Sequence, residues 1–313
     1  MPTSLLLPLA MLIALLVDRL LGEPPAWAHP VVGIGRYLGA FGARLAGQPP
    51  ARAFIGGALV WLLGALLCAA IALSLEIVLM QGLRPWTSWS ALMGCALLLG
   101  LLLKPLLAWA MLVDEVLAVE RALGESLEAG RAQLARLVSR DTRNLDSTAV
   151  REAAIETLAE NLNDSVVAPL FWFVIAGLPG AAVYRFANTA DAMWGYRDHR
   201  EWSGKWAARA DDALSWIPAR LTALALMGLR PALMLRLATE APRTPSPNSG
   251  WPMAAMALRL NLRLGKPGVY SLNEGGATPR GSDLQQAARL ARRAMLGSTL
   301  LLAFVALSLR LPS

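Results

Sequence analysis

The sequence predicts an all-α polytopic integral membrane protein with about four to six apolar helices and long, helical, cytoplasmic loops. Apolar residues make up 56% of the chain and charged residues 16%, against roughly 45–50% and about 25% in soluble domains. The apolar residues are also concentrated in runs that reach or approach the roughly 18–20 residues needed to cross a bilayer. These runs cover residues 5–17, 54–75, 91–103, 166–183 and 294–309.

Composition also argues against two kinds of function. Cys68 and Cys95 both lie in apolar runs, and the chain has only two histidines, so a metal cluster built on His or Cys is not expected. The net charge of +7 is attributed to cytoplasmic loops and anionic ligands, with no nucleic acid as partner, because Lys and Arg accumulate on the cytoplasmic side of membrane proteins.

The same charge rule predicts the orientation of the chain in a cell inner (cytoplasmic) membrane. The connection after the first run holds four arginines, whereas residues 81–90 hold only Arg84. The N-terminus is therefore predicted outside and the first connection inside. Residues 104–165 are predicted to form a cytoplasmic helical segment. The whole chain, 1–313, is predicted to be a single membrane-embedded domain.

Two apolar stretches are predicted to be broken or re-entrant helices. Residues 166–183 are interrupted by Pro and Gly, and residues 213–229 carry Pro218 and Arg220. Broken helices are tolerated at membrane depth only where they are buried in protein or line a cavity. The polar stretches 184–212 and 232–293 are then predicted to be loops that form a site open to the cytoplasm.

An acidic stripe precedes the first of these broken stretches. Glu152, Glu156, Glu160 and Asp164 recur every fourth residue, so they share one helical face. In most soluble helices such a stripe is a solvated surface. Here it leads directly into residues 166–183, where stacked like charges are costly without a cation or a basic partner. That cost favours a functional site.

A second motif, Ser-Arg-Asp-Thr at 139–142, lies upstream of the acidic stripe. Arg140 and Asp141 form either a capping turn or an anion-binding corner at the N-terminus of the helix that follows. Spacing alone does not decide between these two interpretations.

A third group of polar residues follows the acidic stripe. Asn188 and Asp191 are one helical turn apart, and Asp211 and Asp212 are adjacent and close to Arg209. Paired carboxylates with nearby basic side chains suit a magnesium–phosphate site, because the metal bridges carboxylate and phosphate oxygens. For Lys205 and Arg209, a salt-bridged helix at the membrane surface is the alternative.

Six motifs in order give the chain a resemblance to the adenosylcobinamide-phosphate synthase family of cobalamin biosynthesis. Together they extend over almost the whole sequence. The six motifs, in chain order, are Asp18-Arg19 with His29-Pro30; Ser139–Thr142; Glu156 with Glu160, Asn161 and Asp164; Asn188 with Asp191; Arg209 with Asp211, Asp212 and Arg220; and Ser246-Pro247-Asn248.

The resemblance implies an ATP-dependent amide ligation. Adenosylcobyric acid would be joined to (R)-1-amino-2-propanol or its O-phosphate, through an acyl phosphate, giving adenosylcobinamide or its phosphate. ATP and Mg²⁺ are the implied cofactors. Membrane lipid and other membrane enzymes of cobalamin assembly are the implied partners.

The resemblance also implies a set of site residues. Glu156 or Glu160 would accept a proton, within a catalytic group that includes Asn161 and Asp164. The predicted magnesium ligands are Asp191, Asp211 and Asp212. The residues predicted to bind substrate or ATP are Arg140, Asp141, Asn188, Lys205, Arg209, Arg220, Ser246 and Asn248.

Two other classes of function stay open on sequence alone. One is a non-catalytic membrane sensor or accessory protein of the same fold, which would lack several of these polar residues. The other is a transporter of an anionic solute, which would carry polar residues deep in several helices or two matching halves with broken segments.

Overall fold

The apolar runs fold into long helices. The computed structural model describes residues 3–83, 88–196, 198–228 and 230–310. Within these residues almost all regular structure is helical, and β1 and β2 form a single antiparallel hairpin. The elements are α1 (Leu6–Leu21), α2 (Pro30–Ala46), α3 (Pro50–Leu83), α4 (Trp89–Leu103), α5 (Trp109–Glu125), α6 (Leu127–Leu134), α7 (Ser147–Leu162), α8 (Ala168–Trp194), α9 (Glu201–Met227), α10 (Pro231–Glu240), α11 (Gly250–Leu260), β1 (Leu264–Lys266), β2 (Tyr270–Leu272) and α12 (Gly281–Ser308).

Four helical stretches of the described residues are long and apolar enough to cross a membrane. They are Pro50–Gly82, Trp89–Glu125, Ser147–Trp194 and Gly281–Ser308. Large apolar side chains of α3 are exposed, for example Leu59 at 61% and Leu63 at 60%. Such exposure is expected of a helix that faces lipid rather than water. The predicted class, an all-α polytopic membrane protein, is confirmed.

The break predicted within residues 166–183 lies in α8. Ala176 and Gly177 leave the helical conformation, and Gly177 has a φ of 66°. The freed N–H of Leu178 donates to Oε2 of Glu76 in α3, at 2.8 Å. A Cβ at residue 177 would lie 2.6 Å from the Glu76 carboxylate, so the backbone conformation and the contact both require glycine.

The break predicted within residues 213–229 is absent, because α9 continues through Pro218. Proline lacks an N–H, so the carbonyl of the residue four positions earlier loses its helical donor. That carbonyl belongs to Leu214, and it accepts a hydrogen bond from Nε1 of Trp172 at 3.0 Å. The side chain of Trp172 thus replaces the missing backbone bond. α9 is not among the four stretches that could cross a membrane.

The chain divides into two compact units, and the single-domain interpretation stays a prediction. The first unit comprises Met1–Ala108, Ala168–Leu214 and Thr299–Ser313, and the second comprises Trp109–Val167 and Ser215–Ser298. In the first unit, α1 packs on α4, and α2 and α3 pack on α8. Its aromatic core includes Trp61, Phe186 and Trp194.

The second unit is built around α7. This helix packs against α5, α6, α11 and β1, and every residue from 152 to 159 is buried. The hairpin pairs Leu264 with Leu272 and Lys266 with Tyr270. The stretches 184–212 and 232–293, predicted as loops, are mostly helical in the described residues, because α8, α9, α10, α11 and α12 extend into them.

Candidate functional site

The buried acids of α7 have arginine partners in the second unit. Glu156 is 1% exposed, and its Oε2 accepts a hydrogen bond from Arg140 at 2.8 Å. Glu152 is 6% exposed, and its Oε1 lies 3.2 Å from Nη2 of Arg263. The cost of burying stacked carboxylates is thus offset by two cations. We name Arg140, Glu152, Glu156, Arg263 and Tyr270 the acid–arginine cluster.

Tyr270, at the start of β2, completes the cluster. Burial is the main cause that raises the pKa of its hydroxyl, and the nearby Glu156 carboxylate raises it further. The hydroxyl therefore stays protonated at neutral pH and can act as a donor. Oε1 of Glu156 is buried and makes no hydrogen bond of good geometry with the described residues, although Tyr270 is close enough to interact with the carboxylate.

The C-terminal end of the acidic stripe departs from regular α-helix. A π-helical turn at Asn163–Val167 follows α7, so Asp164 leaves the regular four-residue spacing. Nδ2 of Asn163 donates to Asp164 at 2.8 Å, and Oδ1 of the same asparagine accepts from the hydroxyl of Thr222 at 3.1 Å. Glu160 is half-buried and contributes to the raised pKa of Tyr270, which associates it with the acid–arginine cluster.

Residues 139–142 form neither of the two structures considered from the sequence. α7 begins at Ser147 and is capped by Asp146, whose Oδ1 accepts from the Ala149 N–H at 2.8 Å. The motif precedes the helix by several residues, so neither the capping turn nor the helix-terminus anion site is formed. Asp141 is exposed and pairs with Arg143, which lowers the pKa of the Asp141 carboxyl to about 2.

Arg220, Asn248 and Ser246 lie together in the second unit. Nη1 of Arg220 donates to Oδ1 of Asn248 at 3.0 Å and to the carbonyl of Trp216 at 2.7 Å. The guanidinium also stacks on the rings of Trp216 and Trp251. Ser246 accepts a hydrogen bond from the Asn248 N–H at 3.2 Å. Burial lowers the pKa of Arg220.

Asn161 belongs to the second unit, where its Nδ2 donates to the carbonyl of Thr157 at 3.0 Å. The remaining predicted site residues belong to the first unit. Asn188 and Asp191 lie near the end of α8, and the four others lie in the first half of α9. Lys205 is 3.5 Å from Glu201 and lies over the ring of Trp202, as the salt-bridged surface interpretation predicts. Arg209 is exposed. Burial raises the pKa of Asp212.

No group of three or more His, Cys, Asp or Glu side chains is arranged for a metal ion within residues 3–83, 88–196, 198–228 and 230–310. A magnesium ion bound by one or two carboxylates together with phosphate oxygens does not require such a group. Asp191, Asp211 and Asp212 fit only a site of that kind, and their assignment to magnesium stays a prediction.

The comparisons with known proteins agree with the sequence motifs. The family model described as "CobD/Cbib protein" matches residues 11–296. The chain belongs to the CobD/Cbib family. Relatives in this family include a probable cobalamin biosynthesis protein CobD of Thermococcus kodakarensis, 42% identical over 89% of both chains. The cobalamin biosynthesis protein CobD of Chromobacterium violaceum is 41% identical over 94% of both.

A further relative in the CobD/Cbib family is the cobalamin biosynthesis protein CobD of Rhodobacter capsulatus, 38% identical over 95% of this chain and 96% of the relative. No solved structure has significant similarity to the chain. The chain is therefore a membrane protein of a family whose named members belong to cobalamin biosynthesis.

Sequence reasoning missed two members of the acid–arginine cluster and a second buried group of charges. Arg263 and Tyr270 lie far along the chain from α7, in a stretch that the sequence predicted only as a polar loop. In the first unit, Asp18 is fully buried, and the Lys104 ammonium lies 3.4 Å from it and 2.9 Å from Glu23. No spacing rule relates these positions to one another.

Proposed function

We propose that this chain is an ATP-dependent acid–amine ligase. It joins adenosylcobyric acid to (R)-1-amino-2-propanol or its O-phosphate and yields adenosylcobinamide or its phosphate. The observation that carries the proposal is the Glu156 carboxylate: it is buried, fixed by Arg140 through one oxygen, and without a well-formed hydrogen bond at the other. Tyr270 is close enough to interact with this carboxylate, and a substrate N–H would supply the hydrogen bond of good geometry that Oε1 lacks among the described residues.

The reaction requires activation, because a carboxylate does not condense with an amine at neutral pH. In the proposed route a carboxylate oxygen of the corrinoid attacks the γ-phosphorus of ATP, and ADP leaves. The amine nitrogen then attacks the acyl carbon, the C–O bond to phosphate breaks, and inorganic phosphate leaves. The ammonium nitrogen loses two protons on the way to the amide: Glu156 or Glu160 accepts one before the attack, and the leaving phosphate takes the other.

The other residues have binding roles in this proposal. Arg140, Arg209 and Arg220 contact phosphate oxygens, because guanidinium groups form paired hydrogen bonds with them. Asn161, Asn188 and Asn248 orient amide and carboxylate groups of the corrinoid. Bound Mg²⁺ would neutralise phosphate charge. Its proposed ligands are Asp191, Asp211 and Asp212. The other residues of the proposed site are Asp141, Asp164, Lys205 and Ser246.

We also propose that the membrane is the cell inner membrane and that the polar segments face the cytoplasm, where ATP is available. The arginine content of residues 104–165 supports this orientation. Neighbouring membrane enzymes of cobalamin assembly are the proposed protein partners.

The test is reconstitution of the reaction. Purified protein is incubated with adenosylcobyric acid, ATP and Mg²⁺, and with each amine in separate reactions, and products are identified by mass. We expect an amide product and ATP consumption that depends on the corrinoid. ATP turnover without a corrinoid, or binding of a corrinoid without a product, would support a transporter or a sensor instead.

A further inference from the structure

A pocket lined by both charged and apolar groups lies at the hairpin of the second unit, outside the set of residues predicted from the sequence. Its volume is about 430 Å³, within the range of roughly 300–1,000 Å³ that small-molecule sites occupy. Arg263 and Lys266 provide its positive charge, and Glu152 and Tyr270 connect it to α7 and the acid–arginine cluster. We name it the hairpin pocket.

Arg263 is held in one orientation and keeps donors available. Glu152 accepts from Nε at 3.4 Å and from Nη2 at 3.2 Å. This contact occupies one edge of the guanidinium. The group has five N–H donors in a fixed planar arrangement, so donors on its other edge are left for a ligand. The side chain of Glu152 is only 8% exposed, so the carboxylate is a fixed support for Arg263.

Lys266 provides the second charge from a rigid turn. The chain reverses over Lys266-Pro267-Gly268-Val269, where the Val269 N–H donates to the Lys266 carbonyl at 2.9 Å. Gly268 has a φ of 72°, and Pro-Gly is the pair that such a turn favours. Within the described residues the Lys266 ammonium makes no hydrogen bond or ion pair, and its charge is near enough to act on the Glu156 carboxylate.

We infer that the hairpin pocket binds a phosphate group, with Arg263 and Lys266 as its ligands and Glu152 as the residue that orients Arg263. Two cations with donors to spare, in a pocket of ligand size, are suited to a doubly charged oxyanion. Because Tyr270 lines both this pocket and the acid–arginine cluster, a ligand bound there lies beside the proposed base. This inference rests on the proposed function.

The phosphate has two possible sources with the same chemistry: the nucleotide, or the phosphorylated amine. Binding to the purified, full-length protein is measured by titration calorimetry with a non-hydrolysable ATP analogue and, separately, with aminopropanol O-phosphate. The variants are Lys266→Gln and Arg263→Gln. Arg280→Gln is the matched control, because Arg280 is an exposed arginine of the same unit.

We expect each variant to weaken one of the two ligands by about 10- to 100-fold, the effect of losing a charged hydrogen bond, while Arg280→Gln changes neither. The ligand that weakens identifies the source. Lys266→Gln removes no hydrogen bond or ion pair of the described residues, so it remains informative if Arg263→Gln fails to fold. Unchanged affinity for both ligands in Lys266→Gln and in folded Arg263→Gln would overturn the inference. Failure of the wild type to form any amide would instead overturn the proposed function.

Discussion

Both units of this protein bury carboxylates beside cations, but the two sets of charges have different surroundings. In the first unit, Lys104 contacts both Asp18 and Glu23, and a cavity of that unit, about 460 Å³, is lined almost entirely by apolar side chains. In the second unit, Glu152 and Arg263 line the hairpin pocket. The charges of the first unit therefore do not line that cavity, whereas those of the second unit line a pocket that a ligand could enter.

The largest expected effect of a single change is on the stability of the first unit. Lys104→Met leaves two carboxylates without their shared ammonium, and breaking a buried pair costs about 3–5 kcal/mol. We expect the free energy of unfolding, measured by denaturant titration in detergent, to fall by that amount. Lys205→Met is the control, because its i,i+4 pair with Glu201 contributes only about 0.3–0.5 kcal/mol. An equal loss in both variants would mean that the buried Lys104 contacts contribute no more to stability than the Lys205–Glu201 pair.

The second prediction concerns the rate of the proposed reaction. Glu160→Gln preserves size and removes basicity, so amide formation should fall by about 10²-fold or more, as expected for the loss of a general base. Glu156→Gln should have an effect at least as large, because that carboxylate is the more buried of the two. Both variants should still insert and fold.

The control for these variants is Asp146→Asn, on the same helix. Asp146 is exposed and caps α7, and asparagine caps equally well. Glu152 is unsuitable as a control, because it is buried and paired with Arg263. Similar, modest effects of Glu160→Gln and Asp146→Asn would reduce the stripe to a structural feature.

A smaller effect is expected at the predicted metal ligands of the first unit. Asp211→Asn should raise the magnesium concentration needed for half-maximal turnover by about tenfold or more, without changing membrane insertion. Asp198→Asn is the control, since Asp198 is exposed and pairs with Arg200. Normal magnesium dependence in Asp211→Asn would make the Asp211-Asp212 pair a surface acid cluster.

The smallest effect is expected at His29. Nδ1 of His29 accepts from the Val31 N–H at 3.2 Å and caps α2, while Nε2 contacts Glu23 at 3.0 Å. His29→Ala should lower stability by about 1 kcal/mol, the usual effect of losing a cap. His29→Asn should recover most of that loss. Loss of turnover in His29→Asn with unchanged stability would show that the first unit's charges are functional after all.

The sequence predicted the features that depend on local composition. Apolar runs long enough to span a bilayer identified the membrane helices, and Pro and Gly located the break in α8. The spacing of Glu152 and Glu156 predicted that buried acids would need basic partners. The continuity of α9 could not be predicted, because it depends on a hydrogen bond from Trp172 to Leu214, distant in sequence.

The same limit applies to the site. Arg140 and Glu156 were both identified as site residues, but their direct contact depends on how a 16-residue separation closes. Arg263 and Tyr270 were missed because a hairpin brings them to α7 from more than 100 positions away. Contacts of this range are determined by packing, which leaves no periodic signal in one sequence.

The contact between Glu76 and the break in α8 has a consequence for the order of membrane insertion. Glu76 is the acidic residue of α3, and the N–H that donates to its carboxylate belongs to Leu178, 102 positions later. When α3 is synthesised, that donor does not yet exist, and an acidic side chain within a bilayer costs up to about 3 kcal/mol. Because Glu76 lies near the end of α3, its carboxylate can stay at the membrane surface during this interval. The carboxylate reaches its final position when α8 enters the membrane and the N–H of Leu178, at the start of the second half of α8, becomes available.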